Sequence, residues 1–267
     1  MPSEVGWYLY AFSPHGDLPP MMGIDGHSPL SLIAENGIVA LSSPVPLTEF
    51  GEEALRRNLE DPSWLEEKVR LHESIVESAL ATGPLLPMRF GTIFLDQEKI
   101  RAVIRRNAPI LQAALETLRE KEEWGVKGFA DPAVLWAAVI RNDPTLLTLS
   151  AEANTKQPGQ AFFLRRRIEK TAFSKSRERQ EVLAREALEA IQRTVVELTE
   201  SPPLPPEARR GETIVLNLAC LVRQEGVEVF RTGLERWNRH HAEEGVRLVA
   251  SGPWPPYHFV PRLDDDG

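Results

Sequence analysis

The hydrophobic period of this chain switches repeatedly between two residues and about 3.6, and that alternation limits the fold more than any single motif. GWYLYAF (6–12) is a short aromatic strand. LIAENGIVALSSPVP sets Asn36-Gly37 between two apolar runs, the signature of a two-residue type I′ hairpin turn. In DPSWLEEKVRLHESIVESALAT the apolar step becomes three and four. Leu65, Val69, His72, Val76 and Ala79 then form one buried helical stripe, started at Asp61–Ser63 and stopped by Gly83-Pro84. LLPMRFGTIF (85–94) returns to strand, with Pro87 near its start and Gly91 marking a bulge or a close backbone approach. Asp96 caps a further helix with Ile100, Val103, Ile104, Leu111, Leu115 and Leu118 inward, which Pro109 is expected to kink or interrupt.

The second half repeats the alternation without repeating residues. EWGVKGFA (123–130) is a strand, 131–160 holds short helices and loops, and a long helical stretch covers 160–200. SPPLPPEARRG (201–211) is a stiff proline linker. TIVLNLACLV (213–222) is apolar on nearly both faces, as a central strand would be. The helix EGVEVFRTGLERWNRHHAEEG carries Val227, Phe230, Leu234, Trp237 and His241 on one stripe, and Val246, Leu248 and Ala250 alternate in a last strand. The order β, α, β, α, β predicts an α+β sandwich of ferredoxin-like type.

That last strand runs into SGPWPPYHFV (251–260). Three prolines, each without a ladder donor, exclude a central strand there. Burying Trp254 and Tyr257 would contribute about 2 kcal/mol each. The expectation is a rigid, packed cap.

Signatures of catalysis are missing. There is no G-x-x-x-x-G-K-[ST], G-x-G-x-x-G, H-E-x-x-H or G-x-S-x-G. The acidic doublets Glu52-Glu53, Glu66-Glu67, Glu122-Glu123 and Glu243-Glu244 lie on or beside amphipathic helices as solvated faces. His72, on an apolar stripe, reads as a satisfied core histidine. His240 and His241 point about 100° apart and cannot share one ion. RLDDDG at the end lacks the spaced ligands of a calcium loop. Cys220 is the sole cysteine, which excludes a disulfide framework, and its apolar run makes it a small core residue. The amino terminus has no basic leader, and no run approaches the roughly 20 apolar residues of a membrane span, so a cytosolic protein is expected.

One stretch stands out. RRRIEKTAFSKSRER (165–179) has seven basic residues against two acidic ones, in a chain of net charge −8. Ala161, Phe162, Phe163 and Leu164 flank it. Beside a merely solvated helix face, this pattern suits a docking surface for an acidic or amphipathic partner, with Arg165, Arg166, Arg167 and Lys170 as candidate contacts. A nucleic-acid- or ligand-binding protein using the basic helix 165–179 is the alternative, although no recognition motif accompanies it. An enzyme using a pocket near His72 or Arg89 is a third possibility.

The opening WYLYAF, the helix WLEEKVRLHESIVESAL, LLPMRFGTIF, FFLRRRIEK and above all SGPWPPYHFV together resemble the gas vesicle proteins GvpL and GvpF. The resemblance spans almost the whole chain. It implies two α+β domains, 1–121 and 122–267, the second a modified ferredoxin-like βαβαβ sandwich. It implies a non-enzymatic accessory protein of gas vesicle assembly, cytoplasmic and associated with gas vesicles. Its implied partners are the small hydrophobic shell subunit and other gas vesicle accessory proteins, with no nucleic acid, membrane, metal or cofactor. Pro87, Arg89, Phe90 and Gly91, and the terminal Gly252, Pro253, Trp254, Pro255, Pro256 and Tyr257, match family stretches, and a structural role is expected for them. The terminal brace is expected to close the second domain. No catalytic residue carries over.

Overall fold

The computed structural model describes residues 5–16, 21–202 and 212–264. Positions 17–20 of the long loop, nearly all of the expected proline linker (203–211) and the last three residues of the acidic tail lie outside them. The architecture is α+β, in two units: one runs to Glu122 and takes in Trp254 onward, the other is Glu123–Pro253. The sequence alone extends the second domain to the end of the chain; the structure groups the segment after Pro253 with the first unit.

In the first unit, β1 (Val5–Ser13), β2 (Ser31–Glu35) and β3 (Ile38–Pro46) form an antiparallel sheet ordered β2-β3-β1-β4, with β5 also pairing β1. Asn36 and Gly37 both have positive φ, 49° and 73°, so the type I′ turn forms as expected. Every residue from Tyr8 to Phe12 is fully buried, so β1 is covered on both faces. Tyr8 and Tyr10 pack with Ile75, Val76 and Ala79 of α3 (Pro62–Leu80), the helix that Asp61 caps through the amides of Ser63 and Trp64. Two short helices, α1 (Leu47–Phe50) and α2 (Glu52–Asn58), precede α3.

The expected strand 85–94 is a correction. Only Leu86–Pro87 (β4) and Ile93–Phe94 (β5) pair, both with β1. Between them Arg89–Thr92 closes a turn, the Thr92 amide donating to the Arg89 carbonyl at 3.2 Å. Pro87 brings no ladder donor and Gly91 sits at φ +82°, a region that disfavours a side chain, so the segment turns rather than extends. Pro109 does not interrupt its helix. α4 (Gln97–Leu118), capped by Asp96, is continuous, with Ile104, Asn107, Leu111 and Leu115 buried on one stripe.

The second unit has β6 (Lys121–Ala130), α5 (Pro132–Asn142), α6 (Pro144–Thr155), α7 (Pro158–Gln192), β7 (Glu197–Glu200), β8 (Thr213–Arg223), α8 (Val227–His241) and β9 (Val246–Trp254). Its sheet order is β7-β8-β6-β9, and the succession is β-α-β-β-α-β with α5 and α6 added before α7. The helix expected over 160–200 ends at Gln192, and β7 follows it. A four-residue edge strand is too short to show a period, although its residues pair with Leu218–Leu221 of β8. The prolines of 131–160 are helix starts: Asp131-Pro132 and Asp143-Pro144 each combine an aspartate cap with proline in the first turn.

α7, 35 residues long, extends about 50 Å at 1.5 Å per residue and serves two cores. Leu183, Ala187 and Ile191 join Trp124, Val126, Cys220, Phe230 and Leu234 over the sheet. Ala172 and Ile168, nearer its start, pack with Leu146 and Ala153 of α6 in a smaller helical cluster.

Candidate partner-binding face and the buried His72 network

The basic helix is the first half of α7. Its buried stripe is Ala161, Ile168 and Ala172, with Leu164 packed beside it. At 3.6 residues per turn, the side chains of Phe162, Arg166, Lys170, Phe173 and Arg177 point away from that stripe. Phe162, Phe163 and Phe173 are 58%, 74% and 65% exposed, each forgoing about 2 kcal/mol of burial. The Phe162 and Phe163 rings meet edge to face, 5.8 Å between centroids. An aromatic set of this size left in water marks a surface with a partner more often than an accident of packing.

The four candidate contacts, Arg165, Arg166, Arg167 and Lys170, are all exposed, as is Arg177. Helical register sets Arg165 at the margin beside the packed stripe. Arg166 has Glu169 3.5 Å away, and the side chains of both are exposed, so that pair holds neither strongly. The remaining cations of the run are used internally. Lys175 pairs with Asp143, and Arg179 forks onto Glu244 with bonds of 2.6 and 2.7 Å. Those cations hold the Asp143 and Glu244 carboxyls below the usual range. Sequence reasoning could not sort the seven cations, because the sorting depends on which carboxylates α6 and the end of α8 bring alongside.

The motif residues of the first unit converge elsewhere, on His72. The Gly91 amide donates to Tyr8 Oη at 2.8 Å, and Tyr8 Oη lies 3.1 Å from His72 Nδ1. His72 Nε2 lies 3.0 Å from Tyr257 Oη, which donates to Glu73 Oε1 at 3.0 Å. Each hydroxyl has one proton to give. Tyr257 gives its own to Glu73, so it accepts from His72; Nε2 then carries the hydrogen and Nδ1 accepts from Tyr8. Every hydrogen bond thus runs one way, from Gly91 to Glu73, through a neutral imidazole. Burial lowers the His72 pKa to about 4, partly offset by the Met88 carbonyl, and so keeps it neutral. Burial likewise raises Glu73, Tyr8 and Tyr257.

Tyr10 repeats the device. It accepts from the Ile24 amide at 2.8 Å and meets Ser43 Oγ at 2.8 Å. The two tyrosines of the first strand therefore pin two loops, the Arg89–Thr92 turn and the stretch around Ile24. Asp25 turns that stretch by accepting from Ser28 and His27. Both His72 nitrogens are thus engaged within the fold, by Tyr8 and by Tyr257.

The other motif residues are placed as follows. Pro87 is buried in β4, Arg89 is exposed in the turn, and Phe90 packs beside Tyr8, His72 and Trp64. Pro255 and Pro256 are buried, whereas Trp254 is 46% exposed, against the expectation of a buried ring. Gly252, at φ +139°, lies against the Glu123 carbonyl and the Trp124 ring, where a side chain would collide. The brace thus contributes at its two ends: Gly252 fits the second unit's core and Tyr257 the first unit's His72 network. Among the described residues no helix is long and apolar enough to cross a membrane.

Residues 6–261 match the model of one protein family, described as gas vesicle synthesis protein GvpL/GvpF. The chain belongs to that family. Among GvpL/GvpF relatives, gas vesicle protein L of Streptomyces sp. (strain CB03234) is 27% identical over 97% of this chain and 94% of its own. Gas vesicle protein F of the same strain is 29% identical over 95% and 98%. The fold matches crystal structures of GvpF from Anabaena sp. PCC7120 (TM-score 0.65, 21% identity, 97% of each chain) and Microcystis aeruginosa (0.64, 21%, 96% and 99%). Membership of the GvpL/GvpF family supports a gas vesicle accessory role. Four of the stretches that carry the resemblance, WYLYAF, the LHES of α3, MRFG and PPYHF, meet at His72, whereas FFLRRRIEK lies on α7.

Proposed function

We propose that this chain is a non-enzymatic accessory protein of gas vesicle assembly that engages the small hydrophobic shell subunit and other gas vesicle accessory proteins, and that it works in the cytoplasm at the growing vesicle. The observation that carries the reading is the family match over residues 6–261. The exposed aromatic and cationic face of α7 supplies a surface suited to it, with Arg165, Arg166, Arg167 and Lys170 as its charged contacts. An apolar shell protein needs a helper that offers exposed rings without a greasy expanse that would aggregate, and cations set among phenylalanines meet both needs. In this reading Pro87, Arg89, Phe90, Gly91 and Gly252–Tyr257 serve the scaffold.

The test is a pull-down of the full chain against purified shell subunit, with a variant in which Arg165, Arg166, Arg167 and Lys170 are all changed to Glu. Saturable binding that the folded variant loses is the expected result. Absence of binding by the wild-type chain overturns the direct shell contact, and undiminished binding by the variant moves the contact off this face.

A further inference from the structure

We infer that the outward face of the first half of α7 receives an acidic amphipathic helix of another polypeptide, laid along it over about four turns and anchored at both ends by phenylalanine. The inference rests on the reading of this face as a docking surface and specifies its occupant. Phe162 and Phe163 stand at one end and Phe173 stands eleven residues on, three helical turns or about 16 Å away. Arg166 and Lys170 lie between them, and Arg177 one turn beyond. These six residues are all exposed, whereas Lys175 and Arg179, on the packed side, are committed to Asp143 and Glu244. Among residues 165–179 five exposed cations, Arg165, Arg166, Arg167, Lys170 and Arg177, stand against two exposed acids, Glu169 and Glu178, in a chain whose net charge is −8. The local field therefore selects a negatively charged occupant against the sign of the whole molecule.

The spacing selects the occupant's shape. Two anchors three turns apart on a straight rod are met by a second helix, whose own side chains recur at the same 3.6-residue period. An extended peptide would find no sheet edge on a helix to bond its backbone. A lipid surface fits less well, because an interfacial helix separates its apolar and basic residues onto opposite faces. Here Arg166 and Lys170 are interleaved with the rings on one face. A phosphate backbone would satisfy the cations and leave the phenylalanine rings without a partner. The occupant matching all six residues carries apolar side chains at a three-turn spacing with Asp or Glu between them.

The experiment places a photo-crosslinking benzoylphenylalanine at Phe173 of the full chain, and separately at Val229, an exposed control position on α8. Irradiation in cells producing the gas vesicle proteins is followed by mass spectrometric mapping of the adducted peptide. The expected result is an adduct from position 173, not from 229, mapping to an acidic amphipathic helix. Its yield should fall about tenfold when Arg166→Glu and Lys170→Glu are added, as for a central charged anchor, with circular dichroism confirming an unchanged fold. No adduct above the Val229 control, an adduct to lipid, nucleic acid or a non-acidic segment, or a yield indifferent to the two charge reversals overturns the inference. The shell pull-down is read separately. Shell binding without the adduct sinks only the helix proposal, and an acidic-helix adduct from another protein without shell binding sinks only the shell contact.

Discussion

The hydroxyl of Tyr257 lies 3.0 Å from Nε2 of His72, across 185 positions of sequence. The imidazole that the sequence marks as one member of a helical stripe is thus held from both sides, by the first strand through Tyr8 and by the terminal brace through Tyr257. Removing the Tyr257 hydroxyl leaves the buried Nε2–H without an acceptor and Glu73 without its donor. Tyr257→Phe, which keeps the ring stacked over His72, is expected to cost about 1–3 kcal/mol. Chemical denaturation of the full chain measures it, and a midpoint equal to wild type would show that the bond contributes nothing.

His72 also predicts a pH dependence. Its folded pKa, about 4, lies below its ordinary value of 6.5. Between those values the unfolded chain binds a proton that the folded one refuses, so stability is full above pH 6.5 and falls as pH drops toward 4. The loss attributable to this group approaches about 3 kcal/mol. Glu73, raised by burial, acts in the opposite sense at the acid end. Denaturation midpoints from pH 7 to pH 4 should decline less steeply in His72→Gln than in wild type; parallel curves would remove His72 as the cause.

Gly252 is a position where the backbone has no alternative. With φ at +139° and the Glu123 carbonyl 3.0 Å from where a Cβ would sit, Gly252→Ala is expected to destabilise by about 1–3 kcal/mol. Gly159 is the control: it opens α7 with nothing within 4 Å of an added Cβ, so Gly159→Ala should be neutral or stabilising by up to about 1 kcal/mol. Urea unfolding of the two variants side by side reads the difference, and equal midpoints would refute the strain argument.

Cys220 is fully buried in the sheet core, where burial lifts its thiol pKa to about 12. Thiolate chemistry at neutral pH is therefore suppressed twice, by access and by ionisation. Native protein should react with iodoacetamide far more slowly than protein unfolded in urea. Comparable labelling rates in the two states would show that β8 opens readily.

Where local chemistry decided the outcome, the sequence was sufficient. Asn36-Gly37 turned as a type I′ hairpin, Asp61 and Asp96 capped their helices, and the alternating periods named an α+β protein, because each depends on neighbours within a few residues. The quoted motifs likewise identified the family. What needed the tertiary structure was every question of partnership across distance. MRFGT turned rather than extended because the Tyr8 hydroxyl claims the Gly91 amide, and ELTE became a strand because β8 offered it an edge. The brace joined the first unit's core because His72 was there to receive Tyr257. On α7 the sequence counted seven cations but could not divide them. Lys175 and Arg179 turn inward because Asp143 and Glu244 stand within reach, and Arg166, Lys170 and Arg177 are left facing water with the phenylalanines. A helical period says which residues share a face; only the packing of α6 and α8 against α7 decides which face is covered.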